Sequence, residues 1–253
     1  MIETRNVSKS YFGVSVLEGI SFTADTGAVC GLIGYNGAGK TTLLRVISGM
    51  YRPETGEALL DGEAVYENAE KKSRTFMLTE DMYFPPQASL DDMRDFYAGY
   101  YPAWDEGTFA SLCAAFRLDR TQKIGSFSKG MRRQAGIILA FSTKPRYLLL
   151  DEIFDGLDLS MRGVMNTLLA DYVKTSNATA IVTSHNLREL EDNIDKIVMI
   201  HGRRLGYVGP VAEIKAAHGT LEQYFLSERD IDDAAFAGIF GPERNGGAAE
   251  VQT

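Results

Sequence analysis

Cysteine is scarce in this chain, with two residues in 253. Cys30 sits in the apolar run Ala28-Val29-Cys30-Gly31-Leu32-Ile33, and both it and Cys113 read as reduced packing thiols rather than a disulfide pair. Long apolar runs are missing too. Nowhere do 18 or more apolar residues follow one another, and the opening MIETRNVSKSYFG lacks the apolar centre of a signal peptide, so neither a membrane span nor a leader is expected. Any membrane role then falls to a partner. Basic excess is also lacking: 26 Lys and Arg face 34 Asp and Glu, a net charge of −8, which argues against a general nucleic-acid binder. No internal repeat is visible. What remains, with 45% hydrophobic and 24% charged residues, is the composition of a globular domain large enough to bury a substantial core.

Along the chain, strand-like patterns cover Ile2 to Val7, Leu17 to Thr23 and the buried run Ala28 to Ile33. A helix carrying Leu43, Leu44, Val46 and Ile47 follows and stops at Gly49. Glu57 to Val65 reads as a hairpin turning at Asp61-Gly62. From about 80 to 140 the pattern is helical. Ser89 is an N-cap candidate with Asp92 three residues on, and Leu90, Met93, Phe96, Tyr97 and Tyr100 recur at helical spacing as a core-forming stripe, as do Phe109, Leu112, Cys113 and Phe116. Short apolar strands return at Tyr147 to Leu150, Thr179 to Val182 and Ile197 to Ile200, and Leu205 to Val208 suggests a closing hairpin. The expectation is an α/β core formed by residues 1–79 and 141–240 around a mostly parallel sheet, an N-terminal antiparallel β subdomain, a helical subdomain inserted at 80–140, and a flexible tail over 241–253.

Two constellations carry chemistry. Gly34-Tyr35-Asn36-Gly37-Ala38-Gly39-Lys40-Thr41 matches G-x-x-x-x-G-K-[ST] after an apolar strand and before a helix, the context a phosphate-binding loop requires. Its glycines let backbone N–H groups surround phosphates at the positive end of the helix, Lys40 reaches the β- and γ-phosphates, and the Thr41 hydroxyl ligates Mg²⁺. In Tyr147-Leu148-Leu149-Leu150-Asp151-Glu152 a buried strand delivers two acids to its C-terminal end, where open α/β sheets bind ligands. Asp151 is expected to hold the metal and Glu152 to act as general base on the attacking water.

With these motifs in place, the chain from Tyr11 to about residue 210 closely resembles the ATP-binding cassette family of P-loop NTPases. Phe127-Ser128-Lys129-Gly130-Met131, shortly before the acidic strand, is similar to that family's signature segment, with Lys129 and Met131 in place of a glycine and a glutamine. The resemblance implies that Ser128 and Gly130 contact the γ-phosphate of ATP held by an opposite subunit. Asp155-Gly156-Leu157-Asp158 resembles the loop crossing the dimer interface, with Asp158 at the diagnostic position, and His185 resembles the switch histidine; His201 and His218 read as surface residues. Tyr11 looks like the aromatic that stacks on adenine, ahead of its neighbour Phe12, with Val16 on the same face. Asn36 to Thr42, including Ala38 and Thr42, complete the nucleotide-binding set. Glu80 stands where the family has a metal-contacting glutamine that senses the transmembrane partner, and the resemblance implies that it joins Thr41 and Asp151 as a Mg²⁺ ligand while adding negative charge beside Asp151 and Glu152; Ile153 replaces the usual proline.

The resemblance implies a protein that binds Mg·ATP, pairs head-to-tail with a second cassette, expected to be identical, and hydrolyses the nucleotide to drive a separate permease from the cytoplasmic face of the membrane. The segment Phe96-Tyr97-Ala98-Gly99-Tyr100-Tyr101-Pro102-Ala103-Trp104-Asp105 is similar to bacterial type-2 exporter ATPases, whose members serve drugs, antimicrobial peptides or lipid-like compounds. Export is therefore expected over import. The rival reading, a soluble cassette protein acting on ribosomes or DNA, usually carries two cassettes or a long coiled-coil insertion, and neither is present here.

Overall fold

The computed structural model describes residues 1–154, 157–184, 187, 191 and 193–227. Its first unit is an antiparallel sheet in the order β2-β1-β4-β5, built from β1 (Ile2–Tyr11), β2 (Val14–Ala24), β4 (Thr55–Leu60) and β5 (Glu63–Ala64). The β4–β5 turn falls on Asp61-Gly62, both at positive φ (50° and 81°), as its sequence requires. β1 runs past Val7 to Tyr11 because register shifts after Thr4 and Val7 let it bend and continue pairing with β2.

The second sheet has the order β10-β9-β3-β8-β7-β6, from β3 (Val29–Gly34), β6 (Thr75–Leu78), β7 (Tyr147–Leu150), β8 (Thr179–Thr183), β9 (Lys196–His201) and β10 (Arg204–Pro210). All its pairs are parallel except the closing β9–β10 hairpin. Parallel strands covered on both faces read as unbroken apolar runs, and successive side chains go to opposite layers. Tyr147 and Leu149 of β7 pack with Ile2, Leu17, Ile20 and Leu60 of the antiparallel sheet and with Leu43, Leu44 and Ile47 of helix α1 (Lys40–Ile47). Leu148 and Leu150 face the other way, toward Met165, Leu169 and Tyr172 of α6 (Leu159–Ser176). The short α2 (Ala69–Lys72) precedes β6, and α7 (Val211–His218) and α8 (Leu221–Ser227) close the described chain.

Between β6 and β7 stand α3 (Leu90–Tyr100), α4 (Glu106–Phe116), a 3₁₀ turn (Ile124–Ser126) and α5 (Lys129–Ser142). The Ser89 capping box is formed as its spacing predicts: the Ser89 hydroxyl accepts from the Asp92 N–H and the Asp92 carboxylate accepts from the Ser89 N–H at 2.8 Å. Leu90, Met93, Phe109, Cys113, Ile124 and Phe127 make a separate small core. α5 serves two cores: Ile138 and Leu139 pack into this one, whereas Ile137 and Phe141 belong to the core beneath the parallel sheet. A boundary drawn at 140/141 thus falls inside a helix. The aromatic stripe of α3 needs correction as well. Leu90 and Met93 are buried, but Phe96 is 66% and Tyr100 53% exposed, since Phe96 lies a quarter turn off the line of Leu90, Met93 and Tyr97.

Both cysteines are buried and unpaired. Burial raises the Cys30 thiol to about 12 and Cys113 to about 11. Among the described residues no helix is long and apolar enough to cross a membrane.

Candidate functional site

β3 ends at Gly34 and α1 begins at Lys40, so the phosphate-type loop is a sharp strand-to-helix turn. Gly37 (φ 79°) and Gly39 (φ 99°) take left-handed conformations that a Cβ disfavours, and a Cβ on Gly39 would meet Leu17 Cδ2 at 2.8 Å and the Val16 carbonyl at 3.1 Å. The Ala38 N–H donates to the Tyr35 carbonyl at 3.0 Å and closes the turn. Helices α2 to α6 are capped by Asn68, Ser89, Asp105, Ser128 and Asp158, but α1 has Gly39 at its N-cap, no side-chain cap and no acid in its first turn. In a protein of net charge −8 this is a helix end left open to an external anion. Lys40 is buried and its ammonium donates to the carbonyl oxygens of Gly34 (2.9 Å) and Tyr35 (3.3 Å), which holds it along the loop.

The two acids follow β7 in different environments. Asp151 is buried; its N–H donates to the Leu78 carbonyl at 2.8 Å and its Oδ1 accepts from the Thr183 hydroxyl at 2.9 Å. Glu152 has φ 53°, a left-handed conformation costing a residue with a Cβ roughly 1–2 kcal/mol. Its N–H donates to the same Thr183 oxygen at 2.8 Å, and its carbonyl accepts from Arg133 Nη2 at 2.6 Å. One hydroxyl at the end of β8 thereby fixes the carboxylate of one acid and the backbone of the next.

A cleft of about 340 Å³ is lined by Val16, Asn36, Gly37, Gly39, Lys40, Thr41, Thr42 and Glu152. The fold thus brings the expected base to the phosphate-type loop. Tyr11 adjoins: its hydroxyl lies 3.5 Å from Thr42 Oγ1 and its ring meets Tyr51 edge-on, whereas Phe12 stands fully exposed at φ 51° in the β1–β2 turn. Ala38 packs against the core under the antiparallel sheet.

The remaining expected residues lie elsewhere. Ser128 caps α5, accepting from the Met131 N–H at 3.2 Å, and Asp158 caps α6, accepting from the Met161 N–H at 2.9 Å. Both are exposed, as is Gly130, and none of the three lines the cleft. Glu80 pairs with Lys129 at 3.0 Å and borders a different cavity, of about 470 Å³, between the end of β6 and α5. The two departures from the family's pattern at positions 80 and 129 are therefore partners, and the added negative charge is balanced by the added positive one. Asp155, Gly156, His185 and the tail at 241–253 lie outside the described residues.

The donor set fits a nucleotide phosphate chain, with the open N-terminus of α1, the backbone-lined glycine turn and Lys40 on one wall. For a divalent cation the fit is that of a shared site. Thr41 lines the cleft and Asp151 adjoins Glu152, but among the described residues no cluster of three or more His, Cys, Asp or Glu could hold a metal alone. A hard cation here would complete its shell with oxygens from a ligand and water.

Sequence reading missed Thr183 and Arg133. A hydroxyl closing the otherwise apolar strand Thr179–Thr183 beside the acidic strand was a usable signal for the first. An arginine on the face of α5 that also carries Ile137 and Phe141 was one for the second.

The ABC transporter family model matches residues 17–155, more than half of the chain. The ABC transporter ATP-binding protein YtrB of Bacillus subtilis (strain 168) is 28% identical over 247 residues, spanning 95% of this chain and 85% of that protein. The Fe(3+) ions import ATP-binding protein FbpC 1 of Rhodococcus jostii (strain RHA1) is 27% identical over 220 residues, 84% of this chain but 63% of that protein. A solved structure of an ATP-binding subunit of an ABC transporter superposes with a TM-score of 0.83 at 25% identity, covering 90% of this chain and 99% of its own.

Proposed function

The chain belongs to the ABC transporter family as one of its ATPase subunits, and from that premise we propose that it binds Mg·ATP and hydrolyses it in a head-to-tail pair with a second copy of itself. The observation that carries this reading is the cleft in which Glu152 faces the loop of Gly37, Gly39, Lys40 and Thr41. Lys40 and the α1 N-terminus bind and orient the phosphates, Tyr11 and Val16 flank the base, and Glu152 takes the proton of the attacking water at its carboxylate. When bound, Mg²⁺ held by Thr41 and Asp151 supplies positive charge against the phosphate oxygens. The second copy is argued from what the cleft lacks. Ser128, Gly130 and Asp158 are exposed and away from it, free to meet the nucleotide of a neighbour. Pairing then depends on ATP, and hydrolysis releases it, the logic of a two-state switch.

We place the protein on the cytoplasmic face of a membrane, driving a separate permease that exports peptides, drugs or other amphipathic compounds, with no nucleic acid involved. Support for a permease contact comes from the exposed Tyr83, which lines the cavity beside Glu80, and from the exposed Phe96 and Tyr100 of α3. Support for export comes from the likeness of Phe96–Asp105 to type-2 exporter ATPases; a relative named for import, FbpC 1, argues the other direction. Glu152→Gln tests the catalytic reading: the variant is expected to bind ATP, lose turnover and accumulate as an ATP-dependent dimer. A variant that stays monomeric at saturating Mg·ATP and turns over normally would refute it. Tagging the protein in its own cell and identifying what co-purifies from mild-detergent membranes tests the partner. An equimolar polytopic protein is expected, and recovery with ribosomes would remove the transport reading.

A further inference from the structure

Arg133 is 8% exposed on α5, the helix that Ser128 caps. Burying a guanidinium costs free energy unless its donors are used. Here they are spent on main-chain carbonyls: Nη2 on Glu152 at 2.6 Å, Nε on Ile153 at 3.2 Å, and Nη1 within 3.5 Å of Thr79. Those acceptors lie on the segments that leave β6 and β7, so one planar fork spans two neighbouring strand ends and the turn after the acidic pair. Glu152 has its N–H held by Thr183 and its carbonyl by Arg133, while its own φ is 53°. A residue in that conformation persists when its surroundings over-determine it.

We propose that Arg133 is the positioning residue for Glu152, holding the left-handed turn that aims its carboxylate at the phosphate loop. The proposal rests on the reading of Glu152 as general base. Arg133 itself does not line the cleft and does not touch the reacting atoms. Lys129 lies one helical turn before it and pairs with Glu80 at 3.0 Å, so the first two turns of α5 hold the ends of β6 and β7 together. The helix bearing the signature segment is in this way tied to the base: a shift of α5 relative to the sheet moves the carbonyl that Arg133 grips. Arginine is required because its fork spans several acceptors at once, whereas an ammonium is a single point of charge.

The test combines Arg133→Met and Arg133→Lys with Glu152→Gln in the full chain, reading steady-state hydrolysis, binding of a fluorescent ATP analogue and thermal unfolding. Both Arg133 variants are expected to lower kcat at least tenfold while KM and the analogue's affinity stay within about twofold, Arg133→Lys keeping a native unfolding transition if Arg133→Met does not. Glu152→Gln alone should bind the analogue and lose turnover. Adding Arg133→Lys to it should change the residual single-turnover rate by less than twofold, because an act through Glu152 has nothing left to act on. If Glu152→Gln retains turnover, the base reading falls and this proposal with it. If Glu152→Gln behaves as expected but Arg133→Lys keeps wild-type kcat, or slows the Glu152→Gln protein as much as the wild type, the positioning role alone is overturned.

Discussion

Replacing Thr183 by valine keeps the shape of a fully buried β-branched side chain and removes one oxygen, which donates to Asp151 Oδ1 at 2.9 Å and accepts from the Glu152 N–H at 2.8 Å. A hydrogen bond to an ionised group contributes about 1.5–3 kcal/mol, and a buried donor left without a partner costs about 1–3 kcal/mol. The two losses share a site and do not simply add, so the expected destabilisation is about 3 kcal/mol. For a chain of this length that lowers Tm by roughly 6–12 °C. Thr183→Ser keeps the oxygen and loses one methyl group, at a cost of about 1 kcal/mol. Calorimetry on the three proteins reads stability, and ATP turnover beside nucleotide binding reads function: Thr183→Val is expected to lose turnover while retaining affinity, since Thr183 does not line the cleft. A Thr183→Val protein melting within about 2 °C of wild type, or a serine variant less stable than the valine one, would refute the bridging role.

Gly39→Ala should weaken ATP binding about five- to thirtyfold, since left-handed backbone costs a Cβ roughly 1–2 kcal/mol and the added atom meets Leu17 and Val16. Fluorescent-nucleotide titration checks it, and unchanged affinity would count against the tight turn. Asp92 is held below the usual carboxylate range by the backbone N–H and hydroxyl of Ser89, burial opposing only weakly, so its ionised form contributes stability above the unfolded value near about 4 and loses it as pH falls through the lower folded value. The gap between urea midpoints of wild type and Asp92→Asn should therefore narrow on acidification from neutral pH; a constant gap contradicts the capping box as its source. Burial raises the thiols of Cys30 and Cys113 to about 12 and 11, so the native protein at pH 8 should resist iodoacetamide and the denatured protein should take up two labels. Rapid labelling of either residue in the native state would show that its core opens.

What was legible beforehand is what local chemistry writes into contiguous residues. Gly34 to Thr41 had to be a turn between strand and helix, Leu148 to Leu150 had to be buried on both faces, and Asp61-Gly62 had to reverse the chain. Ser89 and Asp92 declared a helix start by a spacing that only a first turn can use. What was not legible depends on neighbours distant in sequence. Nothing near Thr183 says that its hydroxyl reaches Asp151 and Glu152, 32 and 31 residues away. Lys129 and Glu80 each looked like an isolated departure until the fold set them 3.0 Å apart. Helical periodicity identified the apolar side of α3 but could not separate the part that packs inward, Leu90 and Met93, from the part left facing solvent, Phe96 and Tyr100.

β6 and β7 are neighbours in the parallel sheet, yet residues 79–146 intervene between them. A minimal connection of this type needs about a dozen residues. The excess is nearly sixfold, and at about 0.6 kcal/mol for each doubling of loop length the closure entropy rises by only about 1.5 kcal/mol. Hosting a second module at this joint is thermodynamically cheap, and the module's own small core of Leu90, Phe109, Ile124 and Phe127 offsets the cost. The toll falls on kinetics instead. The β6–β7 pairing is a distant contact that becomes a near one only after the intervening helices have formed, so the sheet edge next to Asp151 and Glu152 should be among the last parts of the chain to close.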